Sequence, residues 1–218
     1  MKKDLTEIVI ILDESGSMSS CKNDTIGGFN EFLNTQQKIK GKANVTFVKF
    51  SDYYKIINDG TPIKNVCHLN EDNYTPSYST ALLDAVGKTF NSVGNRLANT
   101  PENERPEKIL VAIITDGYEN ASKEFNRQQI FDIVKHQREK YNWEIIFIGA
   151  DIDAWGKEIG ILNNINISKN DLNRSFKGMS YYTANYRVGN TVSTADFNLS
   201  NNQLDDELQK MYVKEKKE

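Results

Sequence analysis

The chain has 218 residues and a formal net charge of −3 at pH 7, with 38% hydrophobic and 26% charged residues. That length suits one α/β domain with a modest extension, and it buries a full apolar core without disulfides. The balance of charge excludes a global basic field for nucleic-acid binding, and no apolar run is long enough for a signal-peptide core or a membrane span.

The first apolar run, Ile8 to Leu12, is continuous, as a strand buried on both faces would be. Asp24 to Lys38 carries Ile26, Phe29, Leu33 and Gln36 on one stripe and reads as a helix, with Asp24 as its N-cap. Val45 to Phe50 and Tyr53 to Ile57 read as strands separated by Ser51 and Asp52, hence an antiparallel hairpin. Gly60 to Ser79, with Pro62 and Pro76, reads as a turn-rich surface connection. Leu82, Val86, Phe90, Val93 and Leu97 recur at helical spacing. Ala98 to Glu107 is a polar loop, and Ile109 to Thr115 a second buried strand. Ile130, Ile133, Val134 and Tyr141 mark a further helix, followed by a strand over Glu144 to Gly149. A short helix over Asp153 to Ile159, a short strand over Ile165 to Ile167 and a helix holding Leu172, Phe176 and Met179 complete the pattern. Alternation of strands and helices predicts a mostly parallel sheet with helices on both faces over residues 1–190. Residues 191–218 read as a polar extension with a helix near Leu204 to Tyr212.

In an open α/β sheet, ligands bind beyond the carboxyl ends of the strands. Asp13-Glu14-Ser15-Gly16-Ser17 follows the first strand, Asp116-Gly117 follows the strand ending at Thr115, and Thr80 opens a helix between them. Asp13, Ser15, Ser17, Thr80 and Asp116 are therefore expected at one sheet edge. All five offer oxygen and none is a His or Cys, which suits a hard divalent cation such as magnesium, with manganese or calcium also admissible. Three of the donors are neutral hydroxyls, so the shell compensates the cation weakly. A carboxylate from a partner is then the natural sixth ligand. Gly16 is expected to ease the turn between the serines, and the Gly27-Gly28 pair to allow close helix packing.

The Asp-x-Ser-x-Ser segment, the isolated Thr80 and Thr115-Asp116-Gly117 resemble the metal-ion-dependent adhesion site of von Willebrand factor A domains. Thr25-Ile-Gly-Gly-Phe-Asn-Glu-Phe, Ser79-Thr-Ala-Leu-Leu-Asp-Ala and Ile114-Thr-Asp-Gly-Tyr-Glu-Asn-Ala-Ser resemble stand-alone bacterial and phage members more closely. The resemblance covers Leu5 to Ile161 and implies a Rossmann-like three-layer sandwich with one antiparallel edge strand, bound magnesium and a protein-binding role. It implies direct ligation by Ser15, Ser17 and Thr80, with Asp13 and Asp116 ligating directly or through water. It implies protein partners, an ATPase-containing assembly or a phage-linked system among them, which would offer the cation an Asp or Glu carboxylate; the charge balance and the lack of a long apolar run leave no nucleic acid or membrane partner expected. A cytoplasmic monomer is expected. One departure stands out: Tyr78-Ser79 precede Thr80 where the family commonly carries Gly.

Plainer roles are assigned to the neighbouring groups. Asp84 complements a helix dipole, and Glu14 and Glu119 are surface charges. Cys21 is a small half-buried side chain, and Cys67 stands apart from it without Cys-x-x-Cys spacing, which excludes a zinc ribbon or redox pair and fits a reduced compartment. His68 and His136 lack metal-spaced partners, and His136 is read as exposed. Tyr74 and Tyr78 are candidates for a recognition surface, whereas Tyr181, Tyr182 and Tyr186 cover the core. Two other functions compete with the binding module. A magnesium-dependent hydrolase or phosphotransferase would use Asp13 as nucleophile, but such phosphatases carry Asp-x-Asp and this chain has Ser15 there. Neither a Gly-x-Ser-x-Gly elbow nor a Gly-x-Gly-x-x-Gly loop after the first strand is present. In the third function, the metal only staples loops together.

Overall fold

β1 (Lys2–Asp13) is one of the two central strands, hydrogen-bonded in parallel to β2 (Lys42–Phe50) on one side and to the other, β4 (Pro106–Thr115), on its far side. The computed structural model describes residues 1–149, 156, 159–161, 163–166, 172–191 and 199–212. Among these, six strands form one sheet in the order β3-β2-β1-β4-β5-β6, with β3 (Tyr54–Pro62), β5 (Glu144–Gly149) and β6 (Asn163–Asn166). Only the β2–β3 pairing is antiparallel, and it lies at the sheet edge, as the short hairpin predicts.

The strict two-residue period of a strand sends neighbours to opposite faces, and β1 is apolar on both. Ile8, Ile10 and Leu12 join one core with Phe29, Phe32 and Leu33 of α1 (Lys22–Lys38) and Phe176 and Met179 of α4 (Leu172–Val188). Val9 and Ile11 join the other with Val86, Phe90 and Val93 of α2 (Leu82–Asn99) and Ile130 and Val134 of α3 (Arg127–Tyr141). The three-layer, Rossmann-like arrangement thus follows from continuous apolar strands flanked by one-faced helices. Gly28 lets α1 and α4 approach, since a Cβ there would lie 2.3 Å from Phe176 Cδ2; Gly27 meets nothing within 4 Å. α5 (Asn201–Met211), begun by a Ser200–Gln203 capping box, buries Leu204 and Leu208, and Lys177 of α4 pairs with Asp205 at 2.8 Å.

Several sequence expectations shift. α1 starts at Lys22, so Asp24 lies in its first turn and is not the N-cap. The connection after β3 is no plain surface loop: Ile63, Val66, Leu69 and Tyr74 enter the core. Its apolar residues outweigh its prolines. The helix expected over Asp153 to Ile159 falls largely outside the described residues, as does Ile167 beyond β6.

Candidate metal centre

Asp13 ends β1 wholly buried. Its Oδ1 accepts the Ser15 N–H at 2.6 Å and its Oδ2 accepts the Thr115 hydroxyl at 2.6 Å, so the end of β4 holds the carboxylate from the side. The Tyr74 hydroxyl donates to the Asp13 carbonyl at 2.7 Å from beneath. After Ser15 the chain enters a 3₁₀ turn over Gly16–Cys21. That turn brings Ser17 Oγ to 3.1 Å from Ser15 Oγ, and the Ser17 hydroxyl donates to Asp116 Oδ1 at 2.6 Å, across 99 positions of sequence.

Gly117 locates the centre of the arrangement. A Cβ on it would lie 2.9 Å from Ser17 Oγ, 3.0 Å from Thr80 Oγ1 and 3.6 Å from Asp13 Oδ2. Oxygens from two separate segments, the Asp13–Ser17 loop and Thr80, therefore surround one place on a third, beside Gly117, that a side chain would fill. Ser15 and Thr80 are buried whereas Ser17 is exposed and Asp116 half-exposed, so the arrangement faces solvent on one side. Two carboxylates and three hydroxyls suit a hard divalent cation with a vacant coordination position. The donors here are mostly hydroxyls: among the described residues, no group of three or more His, Cys, Asp or Glu side chains gathers. All five residues expected from the sequence are thus brought to one sheet edge.

Thr80 is held by the loop that follows Asp116. Its N–H donates to Asn120 Oδ1 at 2.9 Å, and its carbonyl accepts from Asn120 N–H at 3.0 Å and Ala121 N–H at 3.2 Å. The same loop caps α2, because Glu119 Oε2 accepts the Leu83 N–H at 2.9 Å and Ser122 Oγ accepts the Asp84 N–H at 3.0 Å. Glu119 is therefore a helix cap and not a plain surface charge. Asp84 does more than face a helix dipole. It accepts the N–H groups of Lys123, Glu124 and Phe125, each at 2.9 Å, and these bonds hold its carboxyl below the usual carboxylate range against the opposing effect of burial.

Glu14 overturns its sequence reading. It is fully buried and binds three segments together. Its carboxylate accepts from Lys49 Nζ at 2.9 Å, from the Thr75 N–H at 2.6 Å and from the Tyr53 hydroxyl. Its N–H donates to the Phe50 carbonyl at 2.6 Å and its carbonyl accepts the Ser77 N–H at 2.9 Å. The carboxylate's partners lie 35 to 61 residues away along the chain, so no local pattern announces them. Tyr74 is likewise buried and belongs to no recognition surface, and Cys21 is buried, not half-buried. Gly16 is needed for close approach: its N–H donates to the Tyr78 carbonyl at 3.0 Å, and a Cβ would lie 3.3 Å from that oxygen. The departure before Thr80 also has a backbone consequence. Tyr78 takes a φ of 66°, the left-handed region where glycine is at ease.

The charges at the centre are in conflict. Burial pushes the Asp13 carboxyl up to about 6 and the nearby Asp116 charge adds to this, while hydrogen bonds from Thr115 and Ser15 pull it down. A cation at the centre would remove that conflict.

No protein-family model matches the chain, and no curated protein sequence matches it significantly. Solved structures do resemble it. The pilus adhesin SpaC from Lactobacillus rhamnosus GG aligns with a TM-score of 0.59 at 12% identity, over 85% of this chain and 31% of the adhesin. The von Willebrand factor domain of the type V pili tip protein Mfa5 from Porphyromonas gingivalis aligns with a TM-score of 0.57 at 10% identity, over 86% of this chain and 97% of that domain. Proximal thread matrix protein 1 from the mussel byssus, solved with a zinc-occupied metal-ion-dependent adhesion site, aligns with a TM-score of 0.54 at 15% identity, over 82% of this chain and 48% of that one. The chain thus spans less than half of the mussel protein, and at these identities the likeness is one of fold.

Proposed function

We propose that this chain, which has the von Willebrand factor A fold, is a divalent-cation-dependent protein-binding module. The observation that carries this reading is the convergence of Ser17, Thr80 and Asp13 oxygens on the place beside Gly117. Ser15, Ser17 and Thr80 would hold the cation directly, and Asp13 and Asp116 directly or through water. When bound, the cation supplies an electrophilic centre for a partner's Asp or Glu carboxylate; magnesium is the expected ion, with manganese or calcium as substitutes. The chain's own residues build and aim the cradle: Thr115 and Ser15 orient Asp13, Glu14 and Tyr74 brace its loop, and Asn120 fixes Thr80. Both Asp13 oxygens already accept hydrogen bonds, which supports a ligand's role over a nucleophile's. Residues 1–190 form the binding unit in this reading, and residues 191–218 an extension whose helix α5 braces α4. Two free cysteines fit a reducing compartment, and among the described residues no helix is long and apolar enough to cross a membrane.

Isothermal titration of the metal-free protein with magnesium tests the assignment. Wild type is expected to bind one ion, and Asp13→Ala none, with circular dichroism unchanged. Undiminished binding by Asp13→Ala contradicts the ligand set.

A further inference from the structure

We propose that Tyr78 and Tyr118 form a specificity rim beside the cation site, selecting acidic partner segments whose Asp or Glu is flanked by aromatic or other bulky apolar side chains. The inference rests on the cation-dependent reading above and extends it to the chemistry of the partner.

Placement is the first observation. Tyr78 stands two residues before Thr80, and Tyr118 two residues after Asp116. Their loops are laced together by the bonds from Asn120 and Ala121 to the Thr80 carbonyl, at 3.0 and 3.2 Å. Both side chains are left in solvent: Tyr78 is 72% exposed and Tyr118 69%, the highest values for any large hydrophobic side chain among the described residues. Tyrosine is ordinarily half-buried or more.

The backbone supplies the second, independent observation. At a φ of 66°, Tyr78 occupies a region that is costly for a bulky residue and free for glycine. The Gly16 N–H donating to the Tyr78 carbonyl requires only the turn and not the ring. Core packing does not need the ring either, since it is mostly exposed. A phenol ring kept at a strained position without a partner in the fold has its use outside it.

Chemistry then selects the partner. An incoming carboxylate has its charge met at the cation, which leaves the rim to read the neighbours of that acid. Tyrosine rings present flat apolar faces at low entropic cost and stack on aromatic, proline and large aliphatic side chains. Exposed tyrosines of this kind are frequent energetic anchors of interfaces.

The test uses the full-length protein and a displayed library of random decapeptides, selected in magnesium and again in EDTA. Wild type is expected to enrich, in magnesium alone, peptides with an Asp or Glu next to aromatic, proline or large aliphatic residues. Tyr78→Gly and Tyr118→Ser are each expected to bind the best wild-type peptide at least tenfold more weakly, while magnesium affinity by titration stays within threefold. Tyr78→Gly should also melt at or above the wild-type temperature, because it relieves the left-handed strain. Enrichment of acids with no bias at the flanking positions, or equal peptide affinity in both variants, overturns the rim and leaves the cation site standing. Failure to enrich any acid in magnesium overturns the binding reading and the rim together.

Discussion

Gly117→Ala is the sharpest perturbation the structure offers, because it places one methyl group where the three segments meet. The new carbon would lie 2.9 Å from Ser17 Oγ and 3.0 Å from Thr80 Oγ1, so at least one hydroxyl must turn away. Ser17 is the one free to move, since it is exposed; turning it breaks the 2.6 Å bond to Asp116 and costs about 1 kcal/mol. Gly117 does not have a left-handed φ, so alanine gains about 0.4–1 kcal/mol from the restricted unfolded chain. These two terms nearly cancel, and the melting temperature in EDTA should move by only a few degrees. Magnesium, by contrast, loses a hydroxyl ligand and the space it would occupy. Affinity by calorimetric titration should fall at least a hundredfold, or about 3 kcal/mol. Gly27→Ala is the matched control. It sits in α1 with nothing within 4 Å of its new carbon, and should gain about 0.5–1 kcal/mol with magnesium binding unchanged. Wild-type magnesium affinity in Gly117→Ala would refute the placement of the cation.

Three further outcomes follow from the same geometry. Asp13 has a carboxyl raised from 3.8 to about 6 in the folded, metal-free chain, so the folded state keeps a proton that the unfolded state has released. Its contribution is therefore fully present below the unfolded value and is lost as pH climbs through the folded one. In EDTA, wild type should lose on the order of 3 kcal/mol relative to Asp13→Asn between about pH 4 and pH 6, read by urea unfolding; a difference constant with pH contradicts this. Glu14→Ala strands the Lys49 ammonium, which is only 8% exposed, and should cost about 3–5 kcal/mol in urea and weaken magnesium binding; a loss below about 1 kcal/mol would show that the buried pair does not brace the loop. Asp84 has a lowered carboxyl, so its stabilisation is present above the ordinary carboxylate value and disappears as pH falls through the depressed one. Asp84→Asn should thus cost about 1–2 kcal/mol at neutral pH and progressively less as the pH falls below the ordinary carboxylate value, by thermal melts; an equal cost in acid would sink the charge-based account.

Much of the site was legible because its signals are local. Strands buried on both faces leave unbroken apolar runs, and the oxygen donors stand directly at their ends, as Asp13 does after Leu12 and Asp116 after Thr115. The pairing of β2 with β3 was legible for the same reason, from Ser51 and Asp52 between two β-branched or aromatic runs, although β3 begins one residue later than that reading, at Tyr54. What escaped depends on distant partners. Glu14 looks like any loop carboxylate until Lys49, Tyr53 and Thr75 surround it. Glu119 and Asp84 look like solvated charges until each is seen holding backbone N–H groups from the other's segment. A signal was available for the segment after β3, where Ile63, Val66 and Leu69 recur every third residue, but its prolines favoured a surface reading. Asn126 and Gln129 at the start of α3 also form a capping box with the spacing expected of one, and it passed unread.

The position of β1 has a last consequence. It is paired with a strand on each side and buried on both faces, the kind of element that opens late, and Asp13 stands at its end. Thr80 lies in an irregular connection held by single bonds, to Asn120 and Ala121 at its own position and through Ala81, Tyr78 and Ser77 to Ser51, Gly16 and Glu14. The two sides of the cradle therefore differ in kind, one a continuous strand ladder and the other a set of separate bonds. If the site takes its cation as proposed, the ion would exchange by local opening on the Thr80 side, and that exchange would be timed apart from melting of the sheet.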